Sequence, residues 1–166
     1  SICAKLLRKH ASAVNLNSNF TIIDTDDQTR LIKNICKAEN IDVKKLSPKY
    51  IIAIIDKWKN RGCYPDEVTI NKKDIYEKTI LPIYKIYQKK LIDLNLCDFG
   101  DLILHSLKIL EKNVDIRDLY KKNFRYILVD EYQDTNFVQS KWLNLLVGND
   151  QNICCVGDDD QSIYSW

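Results

Sequence analysis

Residues 124–136 read FRYILVDEYQDTN and residues 152–166 read NICCVGDDDQSIYSW. Each segment opens on a short apolar run, rich in β-branched and aromatic residues in the first case, and each passes into acids. Between them NFVQSKWLNLLVG (136–148) repeats apolar residues at helical spacing and stops at Gly148. The order is therefore strand, helix, strand. A connection of that length permits a right-handed crossover, so the two strands are expected to be parallel and covered on both faces.

Ligands of a parallel sheet bind beyond the carboxyl ends of its strands. Both ends are acidic: the first carries Asp130, Glu131, Tyr132, Gln133 and Asp134, the second Gly157, Asp158, Asp159, Asp160 and Gln161. So many neighbouring carboxylates repel one another unless a cation sits among them, and Mg²⁺ prefers carboxylate and water oxygens. A pair of acids at a buried strand tip also suits phosphoryl transfer, one holding the metal and the other orienting or deprotonating water. The plainer reading is that these acids cap helices, which they stabilise from the N-terminal side.

Upstream the pattern is helical. Ile2, Leu6 and Leu7 share a helix face, and Phe20 to Ile23 is short and extended. Thr25, followed by Asp26 and Asp27, reads as the cap of a helix reaching about Asn40. Ser47 and Pro48 give an N-cap with proline in the first turn of a helix through Ile51, Ile55 and Trp58, ended by Gly62. A connector over Asp66 to Asn71 leads to a helix from Lys73 to about Asn95, in which Pro82 marks a kink or a restart. Asp98 and Asp101 start another helix, and a short one begins near Asp115. The expectation is an α/β chain, predominantly helical, with a helical unit over 1–122 and a partial parallel-strand core over 123–166.

Composition excludes some classes. The 166 residues are 45% hydrophobic and 29% charged, with 25 basic against 23 acidic side chains, so net charge alone announces no nucleic-acid partner. The lysine clusters KKLSPKY (44–50), KWKNR (57–61) and YKKNFRY (120–126) read as solvated faces. No apolar run approaches the roughly 20 residues of a membrane span, and SICAKLLRKH lacks the pattern of a signal peptide. The expected setting is the cytoplasm, within a longer chain. Six scattered cysteines form no C-x-x-C pair, which argues against zinc, and Cys154 and Cys155 read as core-fillers. Trp58 and Trp142 read as core, Tyr76, Tyr84 and Tyr87 as a packed helix face rather than a DNA-facing stripe, and His10 and His105 as ordinary helix residues.

ILVDEYQDTN followed after one helix by VGDDDQSIYSW resembles the second and third helicase motifs of superfamily one, in its UvrD/Rep/PcrA branch. SICAKLLRKH resembles the segment after that family's TFH motif, NFTIIDTDDQTRLIK the helical segment that follows it, and CDFGDLILHSLKIL its DFxDLL segment. The helicase-nuclease branch fits less well, because it tends to have Pro-Lys where Asp159 and Asp160 stand and phenylalanine in place of Trp166. The resemblance implies an accessory helical subdomain, usually called 1B, attached to part of a RecA-like P-loop motor core. It implies ATP and Mg²⁺ as cofactors, single-stranded DNA and a duplex junction as partners, and 3'-5' unwinding in repair or replication. Asp130 then becomes the Mg²⁺ carboxylate, Glu131 the activator of water, Gln133 a nucleotide contact and Gln161 the γ-phosphate sensor. Tyr164 and Trp166 become platforms for bases, and stacking tolerates any base sequence, as a motor moving on arbitrary DNA requires. Without the motif around them, core packing would be the better reading of these two rings.

Two other readings stay open at this level: a self-standing DNA-binding or interaction module from a split gene, and the motor part of a helicase-nuclease. The four glycines are far apart and none precedes a lysine, so these residues contain no G-x-x-x-x-G-K-[ST] phosphate loop. The 166-residue chain alone is therefore expected to show no ATPase activity above background and no tight ATP binding. Calorimetric titration checks this, and a micromolar affinity for ATP contradicts it.

Overall fold

The computed structural model describes residues 2–123, with side chains described to residue 121. The expected strands at Phe124 to Asp130 and Asn152 to Gly157, and the helix between them, lie outside the described residues. Within the described residues the chain is helical with one short strand pair: α1 (Ile2–Lys9), β1 (Thr21–Ile22), α2 (Thr25–Ala38), α3 (Pro48–Asn60), α4 (Ile75–Asp93), β2 (Leu96–Cys97), α5 (Phe99–Lys112) and α6 (Val114–Asn123).

The helix starts follow capping chemistry. Ser47 takes the backbone N–H of Tyr50 on its hydroxyl and Pro48 occupies the first turn of α3. The cap of α2 is Asp24, whose carboxylate accepts from the Asp27 amide, and not Thr25, which is already helical. Asp74 caps α4 by accepting from Tyr76 and Glu77. Pro82 neither ends nor restarts that helix, which is continuous across it. Stops are made by left-handed residues: Gly62 follows α3 at φ 80°, and Asn95 follows α4 at φ 56°.

Asn95 also fastens a loop. Its side chain accepts from the Asn17 amide and donates to the Asn19 side chain, which brings β1 beside the end of α4. There β1 and β2 pair in parallel, Thr21 opposite Leu96 and Ile22 opposite Cys97. The extended character of 20–23 was legible in sequence, whereas its partner was not, because two residues between helices are too few to show a period.

Two hydrophobic clusters flank the strand pair. One joins α1, α5 and α6 through Leu6, Leu7, Leu107, Leu110 and Tyr120. The other joins α2, α3 and α4 through Ile32, Ile35, Ile51, Ile55, Trp58, Ile80, Tyr84 and Tyr87. Trp58 stacks on Tyr84 with ring centroids 5.7 Å apart. The three tyrosines of α4 divide: Tyr84 and Tyr87 are buried, while Tyr76 is half exposed. On the other cluster, the Arg8 guanidinium donates to the carbonyls of Ser18 and Phe20 and lies 4.2 Å from the Phe20 ring centre, tying the loop before β1 to α1. Among the described residues no helix is long and apolar enough to cross a membrane.

Ile55 is fully buried on the α3 face. Replacing it with alanine is expected to destabilise the chain by about 2–5 kcal/mol, and Ser47→Ala by about 1 kcal/mol. Denaturant melts of the two variants check both figures, and a smaller loss at Ile55 than at Ser47 contradicts this packing.

Candidate functional site

The residues singled out from the sequence, Asp130, Glu131, Gln133, Gln161, Tyr164 and Trp166, lie outside the described residues, as do Cys154, Cys155 and Trp142. The described residues bring together a different polar constellation. At its centre is the Lys59 ammonium, on a side chain with no solvent exposure. It donates to Asp98 Oδ2 at 2.7 Å and to Asp101 Oδ1 at 2.9 Å.

The local reason is the start of α5. Asp98 and Asp101 form a reciprocal capping box, in which Asp98 Oδ1 accepts from the Asp101 amide and Asp101 Oδ2 accepts from the Asp98 amide. Each carboxylate therefore has a second oxygen left over, and both second oxygens face Lys59. Asp98 Oδ2 also accepts from the Tyr87 hydroxyl at 2.8 Å and from Gln28 Nε2 at 3.3 Å. Asp101 Oδ1 also accepts from Gln88 Nε2 at 2.8 Å. One buried cluster thus joins α2, α3, α4 and the N-terminus of α5. Gly100 belongs to it for want of space, since a Cβ there would lie 3.1 Å from Lys59 Cδ.

The charges hold each other. Burial alone would push the Lys59 ammonium down, but the carboxylates of Asp101 and Asp98 keep it charged and raise its pKa. Burial pushes the Asp101 carboxyl up, and Lys59 reverses this, leaving it below the usual carboxylate range. Asp56, at the edge of the cluster, is compensated only in part: burial and then the neighbouring Asp98 charge push it up to about 6, against the opposing pull of Lys59 and a hydrogen bond from Gln28. Lys59 falls within KWKNR, which the sequence suggested was a solvated face. That reading is wrong for this residue, because Lys59 lies one turn beyond Ile55 and two beyond Ile51 on the buried side of α3. The spacing was the available signal.

His105 is likewise no ordinary helix residue. It is buried, one turn after Asp101, and its Nδ1 lies 2.6 Å from the Tyr64 hydroxyl. Burial raises the Tyr64 hydroxyl's pKa and lowers that of His105, so Tyr64 is the donor and the inferred imidazole proton sits on Nε2. Nε2 is 3.7 Å from Asp101 Oδ1, too far for a good hydrogen bond. Cys97, Asp101 and His105 bring three ligand atoms within 4.8 Å of one another, which the absence of short-spaced cysteine pairs did not foretell. The geometry still disfavours a metal there. Asp101 is already neutralised by Lys59, and burial followed by the Asp101 and Asp98 charges pushes the Cys97 thiol well above its ordinary range. This constellation positions helices; it offers no open coordination site and no activated nucleophile.

Comparison with known proteins supplies the class. The profile of the UvrD/REP helicase N-terminal domain matches residues 1–166. The chain belongs to that family. It is 45% identical over 169 residues to a probable DNA helicase II homolog of Rickettsia conorii, covering all of this chain and 26% of the relative. It is 40% identical to the ATP-dependent DNA helicase PcrA of Bacillus subtilis over 166 residues, again all of this chain but 22% of the relative. The chain thus spans about a quarter of the length of the curated relatives it matches.

The partly compensated Asp56 gives a pH signature. Its folded pKa of about 6 lies above the unfolded value of 3.8, so its favourable contribution is complete below about pH 4 and lost as pH rises through 6. Asp56→Asn is accordingly expected to raise Tm at pH 8, with the gain vanishing as pH falls to 4. Thermal melts across that range check the sign, and a loss of Tm at pH 8 contradicts it.

Proposed function

We propose that this chain is part of the motor of an ATP-dependent DNA helicase that moves on single-stranded DNA and unwinds duplex, 3'-5', in repair or replication. One observation carries the reading: the acidic strings ILVDEYQDTN and VGDDDQSIYSW, which resemble two helicase motifs, occur within a chain matched along its length by the UvrD/REP profile. The helical unit over 1–122 is then the accessory subdomain with flanking core helices, and 123–166 is part of the RecA-like core. The buried Lys59 cluster supports this division of labour, since its three charged groups join helices.

The donor set suits Mg·ATP. Hard carboxylate oxygens are the ligands Mg²⁺ prefers, and two adjacent acids at a strand tip can separate metal holding from proton transfer. Asp130 is assigned to the metal. Glu131 takes the proton from the attacking water, Gln133 contacts the nucleotide and Gln161 reports the γ-phosphate to the DNA site. Tyr164 and Trp166 stack on bases. The 166 residues by themselves hold no phosphate loop and are assigned no hydrolysis of their own.

In a longer helicase holding this chain, Glu131→Gln is expected to keep Mg·ATP binding and to cut hydrolysis by roughly 10²-fold or more. Asp130→Ala is expected to weaken metal-dependent nucleotide binding instead, which a Mg²⁺ titration reads. Hydrolysis at the wild-type rate in Glu131→Gln would sink the assignment.

A further inference from the structure

At the end of the helical unit where α3 and α4 begin, two tyrosines stay out of the core. Tyr50 is 42% exposed and Tyr76 52% exposed, and their rings meet edge to face with centroids 5.8 Å apart. Beside them Val43 and Ile75 are exposed at 43% and 75%. Together with Lys44, Lys45, Leu46 and Ser47 the two tyrosines line an open groove of about 400 Å³. No acidic side chain lines it.

The charge around this groove is one-sided. Residues 42–50 and 71–79 hold six lysines, Lys44, Lys45, Lys49, Lys72, Lys73 and Lys78, all exposed, against Asp42, Asp74 and Glu77. The three acids are each engaged by backbone amides: Asp42 accepts from Lys44, Asp74 from Tyr76 and Glu77, and Glu77 from Asn71. None of the six lysines forms an ion pair among the described residues, although Lys89 with Asp93 and Lys108 with Glu67 do. Exposed aromatic rings set among unpaired lysines are the combination that holds a strand by its bases and its phosphates at once.

We propose that the Tyr50–Tyr76 groove is a binding site for single-stranded DNA, with a base against the tyrosine pair and phosphates on Lys44 and Lys45. From the proposed function the inference takes only that the ligand is DNA. The site is separate in sequence from Tyr164 and Trp166. It binds without regard to base sequence, because stacking on rings and contacts to phosphates carry no base-edge information. The paired rings favour an unpaired strand over a duplex, whose stacked bases expose no face to them. The edge-to-face contact could instead serve only to clamp α3 to α4, and that role predicts a change in stability with no change in binding.

The test is fluorescence anisotropy of a labelled oligo-dT of about 12 nucleotides, a length within the usual single-strand site range, titrated with the 166-residue chain at several salt concentrations. Lys44→Ala with Lys45→Ala is expected to weaken binding and to reduce the slope of log affinity against log salt by about 1.4, roughly 0.7 for each single-strand phosphate contact. Tyr76→Ala is expected to weaken binding about 5- to 150-fold with the slope unchanged, while Tyr76→Phe binds as the wild type. The Tyr76→Ala loss persists in a Tyr164→Ala, Trp166→Ala background. An oligonucleotide carrying 5-iododeoxyuridine should photocross-link to peptides containing Tyr50 or Tyr76. Wild-type affinity and slope in the lysine and tyrosine variants overturn the proposal, as does a loss of Tm without cross-linking, a preference for duplex, or no binding by the wild-type chain. Loss confined to the Tyr164 and Trp166 variants overturns it while leaving the helicase reading intact.

Discussion

A fully buried ammonium dictates much of how these helices meet. Moving such an ion out of water costs several kcal/mol even after relaxation, so Lys59 is tolerable inside only with close, well-placed acceptors. Asp98 and Asp101 provide them because both are already fixed by the capping box at the start of α5. Each carboxylate is itself buried and must have its remaining lone pairs filled, and Gln28, Tyr87 and Gln88 reach in from α2 and α4 to do so. A cluster of this kind is specific more than it is stabilising: it accepts one arrangement of four helices and penalises the others.

The arrangement bears on function through what it leaves outside. The cluster fixes the turn from β2 into α5 and joins the later turns of α3 and α4, whose first turns carry Tyr50 and Tyr76. Rigid helix starts make a better platform for a strand of DNA than loops would, since less ordering is needed on binding. The chemistry assigned to Asp130 and Glu131 belongs to a separate, contiguous stretch of sequence. Charge is therefore used in different ways along one chain, paired and dry at Lys59, unpaired and wet beside Tyr50 and Tyr76.

How much could be read in advance depended on how far apart the cooperating residues lie. Ser47 with Pro48, and Asp98 with Asp101, are local signals, and the helices they open appear where expected. The acidic string around Asp130 and Glu131 is legible for the same reason, as a contiguous string whose family resemblance the profile match supports at the level of the family. Lys59 and its acceptors are separated by 39 and 42 residues, and the link from Gln28 to Asp98 spans 70, so no local pattern announces them. Only the helical period of α3, which puts Lys59 on the face of Ile51 and Ile55, hinted that one lysine of KWKNR pointed inward. The division of the tyrosines needed tertiary packing too: Tyr84 and Tyr87 turn to the core, and Tyr76, the second residue of α4, does not.

The dependence on Lys59 is most directly measured by a double-mutant cycle between Lys59→Met and Asp101→Asn, read as unfolding free energy from denaturant melts. Lys59→Met leaves the buried carboxylates of Asp98 and Asp101 without their cation and is expected to cost about 3–5 kcal/mol, whereas Asp101→Asn leaves Lys59 its Asp98 partner and is expected to cost less. Removing both charges together should cost much less than the sum, leaving a coupling on the order of 2 kcal/mol or more between side chains 2.9 Å apart. Additive losses, with coupling indistinguishable from zero, would mean that Lys59 and Asp101 act independently and that the buried ion pair does not organise this part of the fold.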